Sequence, residues 1–156
     1  MPQVTVHALA PGLTPDVAYD RLRDFGSYPK LTDTVQEVTV HQEPGGSQLS
    51  DWTVHFRDGL MAWQERDHFD PGERTIAFRQ VKGDFETFEG SWTCTPGQHG
   101  DGTLVTFEAD FDLGIPTLAA LLDPVAESAL RENIALILKG LVGAESVGEP
   151  VGATHE

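Results

Sequence analysis

A long apolar segment near the end of the chain, from about Pro116 to Val142, limits most strongly what this sequence can fold into. Its apolar residues recur three and four positions apart, as they do on one face of an α-helix. They are Leu118, Leu121, Leu122, Val125, Ala126, Ala129, Leu130, Ile134, Ile137, Leu138 and Leu141. Proline is tolerated in a first turn but not in a helix interior, so we expect Pro124 to separate a short leading helix from a main helix of about 17 residues. An apolar face of this length needs a partner that covers it.

The rest of the sequence predicts mostly strands, so we expect that partner to be a β-sheet. A first strand near residues 4–8 is followed by a helix from Pro15 to about Phe25. Alternating apolar and polar residues, separated by turn signals such as Asp58–Gly59, then predict five or six consecutive antiparallel strands. The last of them, Leu104 to Leu113, has one apolar side and one polar side.

These elements predict an α+β fold, in which a curved antiparallel sheet wraps its apolar face around the C-terminal helix. A sheet too wide for one helix to fill leaves an internal cavity, and apolar cavities with a few polar groups are where small ligands bind. We expect one domain over residues 1–143. The remaining residues, 144–156, carry little that can pack and are expected to form a disordered tail.

Charge and composition exclude several classes of partner. Ten basic and 25 acidic residues give a formal net charge of −15, which would repel nucleic acid and anionic membranes. No apolar run is long enough to cross a membrane, and no signal peptide pattern opens the chain. The single cysteine, Cys94, permits no internal disulfide, and the six histidines lack ligand spacing. We therefore expect a cytoplasmic protein with no metal and no cofactor, either a monomer or a homodimer.

Short motifs in a fixed order add a resemblance to a known family. They are YPKL at 28–31, QER at 64–66, RTI at 74–76, GDF at 83–85, Trp92, and FEADF at 107–111. From about Val4 to Leu141 the chain resembles the aromatase/cyclase branch of the START-like (SRPBCC, Bet v 1-like) helix-grip superfamily. The resemblance implies an apolar tunnel that accepts a poly-β-ketone delivered by an acyl carrier protein. It also implies cofactor-independent aldol cyclisation and dehydration of that chain, as in antibiotic biosynthesis.

The resemblance also implies site residues. Arg66 stands where the family has an arginine that polarises carbonyls, Trp92 where it has a pocket tryptophan, and Tyr28 where it has an aromatic residue at the tunnel wall. Val35 and Gln80 depart from the family, which has a tyrosine and a second arginine there. More distant relatives bind quinones, lipids or hormones without chemistry. These departures keep open the alternative of a non-catalytic binding or transport protein for a hydrophobic molecule.

The strand Leu60 to Phe69 decides which side chains face the cavity. We expect the face with Gln64, Arg66 and His68 to point inward, because the opposite face would bury Glu65 and Asp67. Arginine donors suit a developing enolate, and histidine suits proton transfer near neutral pH. The alternative is that Arg66 and His68 are solvent-facing strand residues.

The predicted site therefore has two parts. Arg66 and His68 are the candidate catalytic residues, and Gln64 or Gln80 could orient a carbonyl or a water. Asn133 falls on the apolar face of the C-terminal helix, where it either bonds to nearby backbone or faces a wet cavity. The full set of candidate ligand-binding residues is Tyr28, Gln64, Gln80, Phe88, Trp92, Phe107 and Asn133.

Overall fold

The computed structural model describes residues 3–45, 47–56, 59–97, 101–113 and 119–147, without the side chains of 119–123 and 146–147. The strands are β1 (Gln3–Ala10), β2 (Val35–Gln42), β3 (Gln48–Phe56), β4 (Gly59–Asp70), β5 (Thr75–Gly83), β6 (Thr87–Pro96), β7 (Thr103–Asp112) and β8 (Glu145–Val147). The helices are α1 (Pro15–Arg23), α2 (Tyr28–Leu31) and α3 (Ala119–Val142), with a 3-10 turn at Phe25–Ser27.

All described strands belong to one antiparallel sheet in the order β2-β3-β4-β5-β6-β7-β1-β8. Seven long strands curve around α3, and the predicted α+β helix-grip fold is confirmed. Of the predicted turn at Asp58–Gly59, Asp58 lies outside the described residues and Gly59 begins β4.

The chain beyond Gly143 differs from the predicted disordered tail at its start. Glu145–Val147 forms β8, which pairs antiparallel with β1 next to α3. The small side chain of Ala144 is buried directly before it. Backbone pairing with an otherwise open sheet edge provides order that the side chains alone did not predict. Residues 148–156 lie outside the described part of the chain.

Helix α3 runs without a break through Pro124, which corrects the predicted division into two helices. Proline removes one backbone hydrogen bond, but buried residues after it, such as Ala126 and Leu130, hold the helix against the sheet. The predicted start at Pro116 lies outside the described residues. Near the other end, a Cβ on Gly140 would overlap the carbonyl oxygen of Leu31, so α3 and α2 touch backbone to backbone there.

Candidate functional site

A small cavity of about 50 Å³ lies between α3 and the inner face of the sheet. Its walls are almost entirely apolar and aromatic. They are formed by Tyr28, Trp52, Val54, Trp63, Glu65, Phe78, Phe88, Trp92, Phe107, Leu130, Asn133, Ile134 and Ile137. All three tryptophans of the chain therefore line this cavity.

Strand β4 presents to this cavity the face opposite to the one the sequence predicted. Glu65 and Asp67 are buried, with Met61, Trp63 and Phe69 packed against the core on the same side. Full burial of an apolar side chain of this size stabilises a fold by about 1.5–3 kcal/mol, and each of these three partly buried side chains contributes a share of that. A carboxyl costs much less to bury when it is neutral or hydrogen-bonded than when it is charged and alone. The apolar gain on this face therefore outweighs the cost of the two acids, and the predicted orientation is wrong.

Arg66 and His68 consequently lie on the outer face of the sheet. The Arg66 side chain is 44% exposed, and its Nε and Nη2 donate to the Glu43 carboxylate at 3.0 and 3.2 Å. Both residues line an open outer groove of about 560 Å³, with Arg79, which is paired with Glu89 at 3.3 Å. This groove is larger than the inner cavity, but its arginines are already paired with acids. It is also open to solvent, so a small molecule there would stay largely exposed.

The two glutamines of the predicted site are also engaged elsewhere. Gln64 lies on the outer side of β4 and donates from Nε2 to Asp51 Oδ1 at 2.9 Å. Gln80 donates to the Phe85 carbonyl at 2.8 Å and accepts from the Phe85 backbone N–H at 3.3 Å. Gln80 therefore holds the turn between β5 and β6, and neither carboxamide lines the cavity.

The other predicted wall residues, Tyr28, Phe88, Trp92, Phe107 and Asn133, do line the cavity. The Tyr28 hydroxyl donates to the Leu22 carbonyl at 2.5 Å, and burial raises its pKa well above the usual value, so it is a structural donor. Asn133 Nδ2 donates to the His55 carbonyl at 2.7 Å. Asn133 thus bonds to backbone, one of its two predicted alternatives, and ties α3 to β3 at the cavity wall.

A polar group at the cavity wall, Glu65, and a second carboxyl behind it, Asp67, are both residues that the sequence prediction placed on the outer face. Glu65 lines the cavity and is 5% exposed, while Asp67, two residues further on the same face of β4, is fully buried. The Ser50 hydroxyl donates to Asp67 Oδ2 at 2.6 Å, and Trp52 Nε1 donates to Ser50 Oγ at 2.8 Å. On the cavity side, Trp63 Nε1 donates to Glu65 Oε1 at 2.8 Å.

The two carboxyls differ in how strongly their pKa values are raised. Burial, followed by the neighbouring Asp67, raises the pKa of Glu65 well above its usual range. Burial also raises the pKa of Asp67, but hydrogen bonds from Glu65 and Ser50 act in the opposite direction. Of the two carboxyls, Glu65 therefore has the stronger tendency to keep a proton.

The signal for this arrangement was present in the sequence. Met61, Trp63 and Phe69 occupy the same face of β4 as the two acids. As a group they are larger and more apolar than Ala62, Gln64 and His68 on the other face of the same strand. In β3, Ser50 and Trp52 lie directly across from Glu65 and Trp63. The pairing of these strands could not be read from either strand alone, so the hydroxyl that bonds Asp67 was missed.

Residues 12–137 match the model of a family described as polyketide cyclase / dehydrase and lipid transport. The chain belongs to this family. The match confirms the resemblance found in the sequence. No curated protein sequence matches the chain.

Solved structures with the same fold include members described as aromatase/cyclases. A protein from Thermus thermophilus has a TM-score of 0.82 at 26% identity, over 91% of this chain and 95% of that one. The Zhui aromatase/cyclase from Streptomyces sp. R1128 has a TM-score of 0.70 at 22% identity, over 91% of this chain and 90% of that one. A START superfamily protein from Mycobacterium smegmatis has a TM-score of 0.72 at 20% identity, over 91% and 96%. At these identities the last two show a shared fold.

Two kinds of feature are absent from the described residues. None of the helices there combines the length and apolar character needed to cross a membrane. No three His, Cys, Asp or Glu side chains in that part of the chain converge as metal ligands do.

Proposed function

We propose that this protein binds a poly-β-ketone in its inner cavity and catalyses intramolecular aldol ring closure followed by loss of water. One observation carries the proposal: Glu65, a buried carboxyl whose pKa is raised by burial, stands at the wall of a cavity lined mainly by apolar and aromatic side chains. A carbonyl ligand in such a cavity meets one group able to exchange a proton with it, in a medium where proton transfer and hydrogen bonding are strong. The family match supports this class of reaction.

The aromatic walls suit both the substrate and the product of such a reaction. Trp52 and Trp63 stack with centroids 6.1 Å apart and planes 7° apart, and Trp92 meets Phe107 edge to face at 4.7 Å. Flat, rigid rings of this kind favour planar conjugated ligands, because they offer large contact area at little cost in side-chain entropy. Among the described residues that form the walls, none is Lys or Arg. The site thus favours neutral molecules over free carboxylates.

The cavity must enlarge to take such a ligand. Its volume of about 50 Å³ is far below the roughly 300–1,000 Å³ of typical ligand pockets. The Asn133–His55 hydrogen bond joins α3 to β3 at the cavity wall, so an opening between these elements would break it. We propose that the ligand separates α3 from β3 as it enters.

A second candidate function, binding or transport of a hydrophobic molecule without chemistry, is favoured by the outward position of Arg66. A charged arginine in the cavity would have argued for catalysis, and here it is absent from the wall. Delivery by an acyl carrier protein belongs to the enzymatic proposal. The net charge of −15 makes docking of an acidic carrier depend on local cationic patches.

Product formation and binding can be measured separately on the same samples. A linear aryl 1,3,5-triketone is incubated with wild type, Glu65→Gln and the exposed control Glu108→Gln, and cyclised products are followed by liquid chromatography and mass spectrometry. Binding is followed by quenching of the tryptophans. We expect wild type and Glu108→Gln to form the dehydrated ring faster than it forms in buffer alone. Glu65→Gln should bind the triketone but form the ring no faster than buffer. If the triketone quenches the tryptophans but no sample forms more product than buffer does, the enzymatic proposal is refuted and the binding function remains.

A further inference from the structure

The carboxyl pair on β4 is built asymmetrically, and the asymmetry defines a direction for proton movement. Glu65 lies at the cavity, whereas Asp67 lies behind it and does not line the cavity. Asp67 Oδ2 accepts from Ser50, whose oxygen accepts in turn from Trp52. Asp67 Oδ1 is buried and accepts no hydrogen bond of standard geometry from the described residues, and Glu65 lies close enough to interact with the Asp67 carboxyl.

The strand pairing explains why these groups meet. In the antiparallel register of β3 and β4, Ser50 is opposite Glu65 and Gln48 is opposite Asp67. Each of these side chains points to the inner face, because residues two apart on a strand share a face. The buried end of β3 therefore supplies the Ser50 hydroxyl to Asp67 and places the Gln48 carboxamide beside the same carboxyl. Such an arrangement stabilises Asp67 as the ionised member of the pair.

We propose that Glu65 and Asp67 act as a one-proton acid–base pair, in which Glu65 exchanges a proton with a carbonyl ligand and Asp67 takes up the proton that Glu65 releases. This deepens the proposed function and rests on it. Glu65 is the catalytic residue, since it alone of the two lines the cavity. Asp67 is a positioning residue that acts through Glu65.

The proton balance closes within the pair and the substrate. A carboxyl oxygen of Glu65 takes a proton from the methylene next to a substrate carbonyl, leaving an enolate, while the proton already on Glu65 passes to Asp67. The pair goes from one negative charge to none. The enolate carbon then bonds to a second carbonyl carbon of the same chain. The new alkoxide takes a proton from Glu65, Asp67 returns its proton to Glu65, and the pair regains its charge.

Elimination of water uses the same two groups. Glu65 removes a second proton from the carbon next to the remaining carbonyl and passes its own to Asp67. The hydroxyl then leaves as water with the proton that the pair returns. Burial also raises the proton affinity of Asp67, the ionised member of the pair, so the pair is a stronger base than a carboxylate in water and suits a carbon acid between two carbonyls.

The inference can be tested without ring closure. Wild type, Glu65→Gln, Asp67→Asn and the control Glu108→Gln are mixed with 2-tetralone in D₂O, and loss of the α-proton signals is followed by NMR between pH 5 and 9. Tryptophan quenching gives the occupancy in each sample. We expect wild type and Glu108→Gln to exceed the buffer rate and Glu65→Gln to match buffer. In Asp67→Asn the exchange rate should drop on the order of a hundredfold near neutral pH, with binding kept.

The pH profile distinguishes a proton acceptor from a merely structural residue. In wild type, the rise of the exchange rate with pH on the acidic side of the profile should follow ionisation of Asp67. In Asp67→Asn it follows ionisation of Glu65, so it moves to higher pH. Ser50→Ala, which removes a donor that favours ionised Asp67, should move this rise in the same direction by less, and it replaces Asp67→Asn if that variant does not fold.

Three results would overturn the inference: wild-type exchange at the buffer rate, an Asp67→Asn profile that coincides with wild type, or ring closure that persists in Glu65→Gln. Failure of the proposed function is a separate outcome. If the protein accelerates α-proton exchange of 2-tetralone but not ring closure of the triketone, the acid–base pair is supported and the cyclase function is refuted. Ring closure that persists in Glu65→Gln keeps the cyclase and refutes the pair.

Discussion

Replacing Glu65 by Gln should change how stability depends on pH. In the folded protein the pKa of Glu65 is well above 4.5, chiefly through burial, whereas in the unfolded chain it is near that value. Between about pH 4.5 and the folded pKa of Glu65, the folded state therefore binds one proton more than the unfolded state. The stability that this proton contributes is fully present at lower pH and is lost as the pH rises through the folded pKa.

The magnitude follows from linkage. One proton of difference changes the free energy of unfolding by about 1.4 kcal/mol per pH unit. Gln keeps an oxygen that can accept from Trp63 and an amide that can donate to Asp67, but it has no proton to lose. Relative to wild type, Glu65→Gln should therefore gain about 1.4 kcal/mol of stability for each unit between pH 4.5 and the folded pKa of Glu65.

Urea unfolding followed by tryptophan fluorescence at half-unit steps from pH 4.5 to 8 gives this difference directly. The exposed variant Glu37→Gln serves as control, and its difference from wild type should stay flat. A difference for Glu65→Gln that is equally flat would show that Glu65 is ionised in the folded state. That result would refute the reasoning on the charge of the pair.

Three further predictions concern the rest of the site. Arg66→Ala should leave the thermal midpoint and ring closure nearly unchanged, because its guanidinium is on the outer face; loss of product in this variant would restore the role that the sequence predicted. Asn133→Ala removes the bond to the His55 carbonyl, so unfolding should become easier by about 1 kcal/mol while an apolar fluorescent probe associates faster in stopped-flow mixing. Slower association would contradict an opening between α3 and β3. Gly140→Ala places a Cβ against the Leu31 carbonyl oxygen and should lower the free energy of unfolding by about 1–3 kcal/mol in urea titration.

Much of the fold could be predicted from local pattern. Alternation along β7 separates an inner face with Phe107 from an outer face with Glu108, and the structure keeps that division. The helical periodicity of α3 likewise identified Leu138 as a core residue. Patterns of this kind are strong because each depends only on neighbours within one element.

The site was harder to predict from the sequence, because it depends on which elements pair with each other. Tyr28 and Trp92 were predicted for the wall from the family resemblance, whereas Phe88 and Phe107 are large aromatic residues at alternating positions of their strands, and all four line the cavity. The charged residues were assigned to the wrong sides. Considered alone, β4 makes burial of two acids look more costly than burial of one arginine.

The sequence by itself determined a sheet, a helix and an aromatic space between them, because hydrophobic periodicity sets which face of each element leaves water. Only the tertiary structure decided which polar groups enter that space. Ser50 on β3 donates to Asp67 across the strand pair at 2.6 Å, and burial beside Asp67 raises the pKa of Glu65. A buried acid is tolerable only beside such partners, and those partners come from a neighbouring strand whose register the chain fixes on folding.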